Sequence, residues 1–269
     1  MDDRPIGMFD SGFGGLTVAR AVIDLLPDED LVYFGDTGRY PYGPRPLHDV
    51  TEYAQQITEL LVGENGVKMV VIACNTASAA ALDLLHFEHD VPIVGVIEPG
   101  VRAAVRATRN GSVGVIGTVG AIASGAYQRA FRATRAPVTL TCAACPGFVE
   151  FVERGDTESE QVHVLAERML APVKTAAVDT LLLGCTHYPF LARTIGDVMG
   201  RDVVLVSSAD ETAFEVSALL KETGLVRRSG AGDGKGRHRF VSSGDVEWFK
   251  ELGGRLLGPE LDGAEAWVW

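Results

Sequence analysis

Two cysteines in the chain occupy positions where a thiol can take part in acid–base chemistry. Cys74 follows the apolar run 70–73 and Cys185 follows the apolar run 180–183, and each precedes hydrogen-bonding side chains and a helical pattern. Short apolar runs of this kind predict buried strands, and open α/β sheets bind ligands at the carboxyl ends of their strands. A helix N-terminus beside each thiol is expected to lower its pKa. The two motifs predict one site with a thiol on either side.

A pair of thiols facing one pocket suits the inversion of a carbon that carries an acidic hydrogen. A thiolate removes the proton from one face, and a thiol delivers a proton to the opposite face. The two sulfurs exchange roles with each turnover, and the chemistry needs neither a metal nor another cofactor. Because a single free cysteine is often only a buried apolar residue, the inference depends on the pair.

Three other side chains are candidates for assisting the thiols. His187 lies two residues after Cys185 and is interpreted as its proton-assisting neighbour, with helix capping as the alternative. Asp10 ends a predicted strand before a glycine-rich turn; its carboxylate could hold an ammonium group, orient Cys74 or cap the next helix. Glu153 ends a predicted helix, where a carboxylate is ordinarily exposed.

Other chemistry stays open at this point. Cys142 and Cys145 have CxxC spacing, which is found in redox and zinc motifs, but the chain has no second CxxC and two ordinary buried thiols are the preferred interpretation. Cys185 with His187 is also compatible with a nucleophilic hydrolase, which usually adds a third, orienting group. A non-catalytic protein that binds an amino acid is a further alternative.

Composition excludes several classes of protein. The 269 residues carry a formal net charge of −12, which disfavours a nucleic-acid binder because phosphate neutralisation needs clustered Lys and Arg. No apolar run approaches the ~18 residues of a membrane span, and the acidic N-terminus shows no secretory signal. Four cysteines in such a chain do not resemble a disulfide framework. We therefore expect a cytoplasmic protein.

The elements that must position these residues form an alternating series. Apolar strand patterns alternate with amphipathic helix patterns, which predicts an α/β protein with mostly parallel sheets flanked by helices. The predicted strands cover residues 6–9, 31–34, 67–73, 93–97, 112–116, 138–141, 180–183 and 203–206. The predicted helices cover residues 16–26, 47–62, 77–85, 122–132, 148–154, 162–170 and 209–223.

The second half of this series repeats the first, with a strand–cysteine element in matching places. We therefore predict two pseudo-symmetric domains with the site in the cleft between them. The first comprises residues 1–98 plus 208–269, because a late strand and helix at 238–257 are expected to return to it. The second comprises residues 99–207. The glycine-rich segment 224–236 is predicted to be a flexible surface connection.

Five motifs in this order resemble those of the glutamate racemases. They are Phe9-Asp10-Ser11-Gly12-Phe13-Gly14-Gly15, Gly35-Asp36-Thr37, Pro41-Tyr42-Gly43, Ala73-Cys74-Asn75-Thr76-Ala77 and Gly184-Cys185-Thr186-His187-Tyr188-Pro189. The resemblance covers residues 6–223. It implies a cofactor-independent enzyme, commonly dimeric, that interconverts L- and D-glutamate and supplies D-glutamate for peptidoglycan. A racemase for aspartate or another small amino acid is the alternative within this class.

The resemblance also implies roles for individual residues. Cys74 would act on the D enantiomer and Cys185 on the L enantiomer, with Asp10, Glu153 and His187 as auxiliary groups. The ammonium and carboxylates of the substrate would be held by Asp10, Ser11, Tyr42, Gly43, Asn75, Thr76 and Thr186. The chain departs from the usual family pattern at Ala121, where a threonine would add a hydroxyl near the second thiol or the substrate.

Overall fold

The computed structural model describes residues 2–227 and 235–269. In its first part, strands alternate with helices as the sequence pattern predicts. The elements are β1 (Ile6–Asp10), α1 (Leu16–Leu25), β2 (Leu31–Gly35), α2 (Leu47–Glu59), β3 (Met69–Ile72), α3 (Asn75–Glu88) and β4 (Ile93–Gly95). A π-helical turn, Leu60–Glu64, continues α2.

The alternation continues to the end of the chain, and the predicted α/β class is confirmed. The middle elements are α4 (Ile97–Ala107), β5 (Ser112–Gly117), α5 (Val119–Ala123), α6 (Ala126–Thr134), β6 (Thr139–Ala144), α7 (Phe148–Glu153), α8 (Glu160–Thr175), β7 (Thr180–Gly184), α9 (Ala192–Met199) and β8 (Val204–Ser207). The last are α10 (Ala209–Glu222), β9 (His238–Ser242), α11 (Val246–Leu257) and β10 (Glu265–Ala266). Among the described residues, no helix is both long and apolar enough to cross a membrane.

The strands form two parallel sheets with the same internal order. Within the described residues, the first sheet has the order β10-β9-β2-β1-β3-β4 and the second has the order β6-β5-β7-β8. The order β2-β1-β3-β4 is therefore repeated as β6-β5-β7-β8. This repetition places β3, which leads to Cys74, and β7, which leads to Cys185, in equivalent positions beside the central strands β1 and β5.

Strand register aligns the ends of neighbouring strands. Phe9 pairs with Ile72 in the first sheet, and Gly117 pairs with Gly184 in the second. Asp10 and Cys74 therefore emerge at one edge of the first sheet, and Thr118 and Cys185 emerge at one edge of the second. Strands β1, β3 and β7 are buried along their whole length, as expected for parallel strands covered by helices on both faces.

The last part of the chain adds to the first sheet, since β9 pairs with β2 and β10 with β9. Helix α10 packs on α1 and on α4, while α4 also packs on β7 and α6. The domain division after residues 98 and 207 stays a prediction. Of the predicted connection 224–236, residues 228–234 lie outside the described part of the chain.

A buried ion pair joins three distant segments. Lys68, immediately before β3, is fully buried and donates to Glu29 Oε2 at 2.5 Å and to the Asp2 carbonyl at 2.8 Å. Glu29 is also buried, and its Oε1 accepts the backbone N–H of Arg227 at 2.8 Å. The pair holds the start of the chain, the α1–β2 loop and the segment after α10 against the first sheet.

We expect Lys68→Met to lower the free energy of unfolding by about 3–5 kcal/mol, because it leaves the Glu29 carboxylate buried without a cation. Urea unfolding followed by circular dichroism measures the change. Arg193→Ala is the control, since Arg193 and Glu158 form an exposed pair worth about 1 kcal/mol at most. Equal losses in the two variants would contradict the assignment.

Candidate active site

The first thiol lies at the junction between β3 and α3. Cys74 has extended backbone and is the N-cap residue of α3, and its Sγ accepts the N–H of Ala77 at 3.5 Å. The same sulfur lies 3.8 Å from Ser11 Oγ, to which it can donate. The side chain is 6% exposed. As the sequence predicts, this thiol is at the carboxyl edge of a sheet and at the start of a helix.

A buried carboxylate lies beside this thiol on the neighbouring strand. Asp10 is completely buried, and its Oδ2 accepts the backbone N–H groups of Gly12 at 3.0 Å and Gly15 at 3.1 Å. A Cβ at Gly15 would lie 2.6 Å from Asp10 Cβ, so the turn needs glycine there. Burial raises the pKa of Asp10 to about 6 against the opposing effect of these N–H groups.

The second thiol has a different set of neighbours. Cys185 follows β7, and a 3-10 turn, Tyr188–Leu191, stands between it and α9. The Cys185 Sγ lies 3.8 Å from His187 Nδ1, and the tautomer of the ring decides which of the two atoms donates. On the other side of the ring, His187 Nε2 lies 3.8 Å from Oε1 of Glu153 at the end of α7. The His187 ring therefore lies between the Glu153 carboxylate and the Cys185 thiol.

The titration of these neighbours is shifted by burial. Burial lowers the pKa of His187 to about 4, so the ring is neutral at pH 7 and its contact with Glu153 is not an ion pair. Burial also raises the pKa of Glu153 to about 7, with the nearby Tyr40 hydroxyl opposing the shift. Glu153 is therefore partly buried and close to half-ionised at neutral pH, rather than an exposed helix-end carboxylate.

The prediction that helix N-termini lower the thiol pKa values is wrong for this structure. Burial raises the pKa of Cys74 to about 12, and the charge of Asp10 adds to the effect. Burial likewise raises the pKa of Cys185 well above its ordinary value. A helix dipole is typically worth about 0.3–1 kcal/mol, less than the ~1.4 kcal/mol of one pKa unit, so desolvation outweighs it.

Both thiols line one cavity of about 230 Å³ between the two sheets. Ten of the eleven predicted site residues line it, and Asp10 is buried behind them under the Gly12–Gly15 turn. The lining residues among the predicted set are Ser11, Tyr42, Gly43, Cys74, Asn75, Thr76, Glu153, Cys185, Thr186 and His187. None of the described residues that line the cavity is Lys or Arg, so neutral donors must bind any anion there.

Several of these residues also connect the two sheets. The Tyr127 hydroxyl donates to Asn75 Oδ1 at 2.7 Å, and the hydroxyls of Thr76 and Thr118 are 2.9 Å apart. The carbonyl of Gly43 accepts the N–H of Gly120 at 3.0 Å. The Tyr42 hydroxyl donates to Asp36, so it is already occupied. Hydrogen bonds therefore connect opposite walls of the cavity.

Five buried polar atoms at the site have no hydrogen-bond partner in the structure. They are Asp10 Oδ1, Tyr40 Oη, Asn75 Nδ2, Glu153 Oε1 and His187 Nε2. Because buried polar groups are normally satisfied, their concentration here indicates a binding site for a polar ligand or for water. The set contains acceptors and a donor, which matches a ligand that carries both an ammonium group and a carboxylate.

Several residues that line the cavity were not predicted, and neither was Tyr127, which lies outside the lining. Tyr40, Thr118 and Cys145 line the cavity, and Tyr127 fixes Asn75 from behind. Thr118 had a signal, because it directly follows β5 as Ser11 directly follows β1. Tyr40 precedes the motif at 41–43, but nothing in the sequence shows that its ring lies 6.2 Å from that of His187.

Ala121 and Cys142 lie outside the cavity, whereas Cys145 lines it. Ala121 is buried in an apolar cluster, and its N–H donates to the Thr118 hydroxyl at 3.2 Å. Cys142 and Cys145 are free thiols, Cys142 packing on the same apolar cluster. Within residues 2–227 and 235–269, no group of three or more His, Cys, Asp and Glu side chains is placed to hold a metal ion.

Comparison with known proteins agrees with this geometry. Residues 16–215 match the family described as Asp/Glu/Hydantoin racemase. The chain belongs to this family. It is 54% identical over 262 residues to the glutamate racemase of Acidothermus cellulolyticus, covering 97% of this chain and 98% of that protein.

Solved structures of family members have the same fold. A glutamate racemase isoform from Bacillus anthracis is 38% identical, with a TM-score of 0.92 and coverage of 100% and 98%. The Francisella tularensis glutamate racemase, solved with D-glutamate, is 30% identical, with a TM-score of 0.89 and coverage of 100% and 98%. The resemblance inferred from the five motifs is confirmed.

We expect Gly14→Ala to lower racemase activity on the order of 10²-fold. A Cβ at Gly14 would lie 2.5 Å from Thr186 Oγ1 and 2.6 Å from the His187 ring, so both groups beside Cys185 must move, and small displacements of catalytic groups have effects of this size. Steady-state kinetics and thermal unfolding are measured together. Gly254→Ala is the control, because no atom lies within 4 Å of its Cβ. Full activity in Gly14→Ala would contradict the geometry.

Proposed function

We propose that the chain interconverts L- and D-glutamate without a cofactor, with Cys74 and Cys185 as the two acid–base groups. One observation carries the proposal: the two thiols end equivalent strands of two sheets and line a single cavity. Its support includes the relatives, which are named glutamate racemases. Cys74 is proposed to exchange the proton of the D enantiomer and Cys185 that of the L enantiomer.

The substrate is proposed to bind through neutral donors and one buried acid. The first N–H groups of α3, together with the unpartnered Asn75 amide, lie at the cavity and favour a carboxylate. Ser11, Thr76 and Thr186 add hydroxyls. The free Oδ1 of Asp10 is suited to the ammonium side of the substrate.

Proton transfer in this site depends on the charge that the substrate brings. With their pKa values raised by burial, both thiols keep their protons when no positive charge is near. An ammonium group in the cavity favours a thiolate, and the displaced proton can pass to a carboxylate. We propose that Asp10 receives it from Cys74. Glu153 is proposed to receive it from Cys185 through neutral His187, which can accept at one nitrogen and donate at the other.

The wider setting is proposed from the family resemblance. The D-glutamate product would supply peptidoglycan synthesis, and the protein would act in the cytoplasm as a homodimer, without nucleic-acid partners. Three other functions remain as outcomes of the tests. A Cys–His hydrolase would use Cys185, His187 and Glu153 and would not need Cys74, and a binding protein would need neither thiol. An aspartate racemase would use the same thiols on a shorter substrate.

We expect Cys74→Ser and Cys185→Ser each to reduce racemisation of glutamate by roughly 10²–10⁴-fold, since each removes one of two acid–base groups. The assay follows optical rotation and α-deuterium incorporation in D₂O, with aspartate in parallel. Cys142→Ser is the control, because Cys142 lies outside the cavity and is expected to keep full activity. Loss in only one of the two variants would favour the hydrolase, and faster turnover of aspartate would change the substrate.

A half-reaction distinguishes which enantiomer each of the two thiols deprotonates. The enantiomers are equally stable, so kcat/KM for racemisation must be the same in both directions even in a one-sided variant. Elimination of HCl from a 3-chlorinated glutamate needs only proton removal. We expect Cys74→Ser to retain elimination from the L analogue and Cys185→Ser to retain it from the D analogue. The reverse pattern would exchange the roles of the two residues.

The pH dependence should report the two buried carboxyls. We expect kcat/KM to fall as the pH drops below about 7, because Glu153 and Asp10, with pKa values of about 7 and about 6, lose the charge needed to accept a proton; kcat/KM reports groups of the free enzyme. Glu153→Gln should lower the rate at pH 8 and move the midpoint of the acid limb towards 6. Glu160→Gln, an exposed carboxylate, is the control. An unmoved midpoint would exclude Glu153.

A further inference from the structure

One buried carboxylate behind the cavity collects four side chains. Asp36 follows β2, is completely buried, and donates its backbone N–H to the Asp10 carbonyl at 2.9 Å. Its Oδ2 accepts from Arg39 Nε at 2.7 Å and from the Tyr42 hydroxyl. Its Oδ1 accepts from Ser243 Oγ at 2.6 Å and from Trp269 Nε1 at 3.0 Å. Asp36 therefore links a wall of the cavity to the last residues of the chain.

The indole of Trp269 holds the same loop in a second way. The Arg39 guanidinium lies 3.8 Å from the centre of the Trp269 ring and 4.2 Å from the centre of the Tyr53 ring. Trp269 also packs on Phe34 of β2, with ring centres 5.5 Å apart. Arg39 in turn accepts Arg45 Nε on its carbonyl at 2.8 Å. Trp269 thus contacts Asp36 and Arg39 directly, and Arg39 connects this contact to Arg45 at the other end of the loop 36–45.

The segment that carries Trp269 is itself fixed to the first sheet. β10 pairs with β9 through Glu265 and Ala266, and the Trp267 N–H donates to the Ser242 carbonyl at 2.8 Å. Both tryptophan rings pack on Phe34 and on each other, but the indole nitrogen of Trp267 is buried without a hydrogen-bond partner, whereas that of Trp269 donates to Asp36. Of the two indole nitrogens, that of Trp269 therefore donates to Asp36 of the loop 36–45 and that of Trp267 does not.

We propose that Trp269 is a positioning residue for substrate binding, which acts through Asp36 and Arg39 on the cavity wall formed by Tyr40, Pro41, Tyr42 and Gly43. These four residues line the cavity, whereas both thiols stand on other elements. Releasing the loop lowers the fraction of molecules that are competent to bind, and apparent affinity falls by the same fraction. This inference extends the proposed function. It rests on that function only because glutamate is the substrate whose KM is measured.

The test compares Trp269→Phe with Trp267→Phe as its matched control. Trp269→Phe keeps an aromatic ring over Arg39 but removes the donor to a buried carboxylate, a bond of the stronger, charged kind. We expect KM for glutamate to rise by roughly ten-fold with kcat within about two-fold, the ratio corresponding to the fraction of competent loop. Trp267→Phe should leave both constants unchanged. A merely structural role would lower the unfolding midpoint in both variants without this division between KM and kcat.

Hydrogen exchange of residues 36–45 provides a measurement that needs no substrate. Trp269→Phe should accelerate exchange in this loop and Trp267→Phe should not, with the peptides of β1 and β3 unchanged in both. If loop exchange and KM are unaffected in Trp269→Phe, the proposal is overturned, and it is equally overturned if the loop loosens while KM stays constant. If the unaltered chain does not racemise glutamate, the proposed function fails, while faster loop exchange still supports the contact from Trp269.

Discussion

The cost of placing charge in a closed cavity governs the chemistry of this protein. Burial shifts the pKa of every catalytic candidate towards the neutral form: upwards for Asp10, Glu153 and the two thiols, and downwards for His187. Reactive thiolates are therefore not a standing property of the fold. In the proposed mechanism they form when a charged substrate changes the electrostatics of the cavity, which limits the reactivity of these buried sulfurs at other times.

Repeated topology places the two thiols, but it does not supply equal neighbours. The order β2-β1-β3-β4 recurs as β6-β5-β7-β8, so Cys74 and Cys185 emerge at matching strand ends. At the end of the adjacent central strand, however, the first sheet has Asp10 and the second has Gly117, which has no side chain. The acid on the second side comes instead from Glu153 on α7, through His187. In the proposed mechanism, equivalent backbones thus lead to two unlike proton paths.

Most of the fold and much of the cavity could be predicted because both depend on local patterns. Apolar runs marked the strands, and polar residues at 74–76 and 185–187 marked the strand ends that face the cavity. The contacts of Tyr127 with Asn75 and of Trp269 with Asp36 join residues 52 and 233 positions apart, and no local pattern encodes such pairings. The prediction of lowered thiol pKa values was wrong for a related reason. Desolvation depends on all the residues packed around a group, whereas the start of a helix is visible in the sequence. Lys68 is similar, since a lysine inside a predicted strand does not reveal its distant partner.

The hydrogen bonds that close the cavity have an evolutionary consequence. Asn75, Thr76 and Gly43, proposed to contact the substrate, also bond to Tyr127, Thr118 and Gly120 across the cleft. A substitution that adapts one of these positions to another amino acid therefore changes how readily the two halves separate as well. Under the proposed function, substrate contact and the connection between the two sheets are therefore coupled in these three residues.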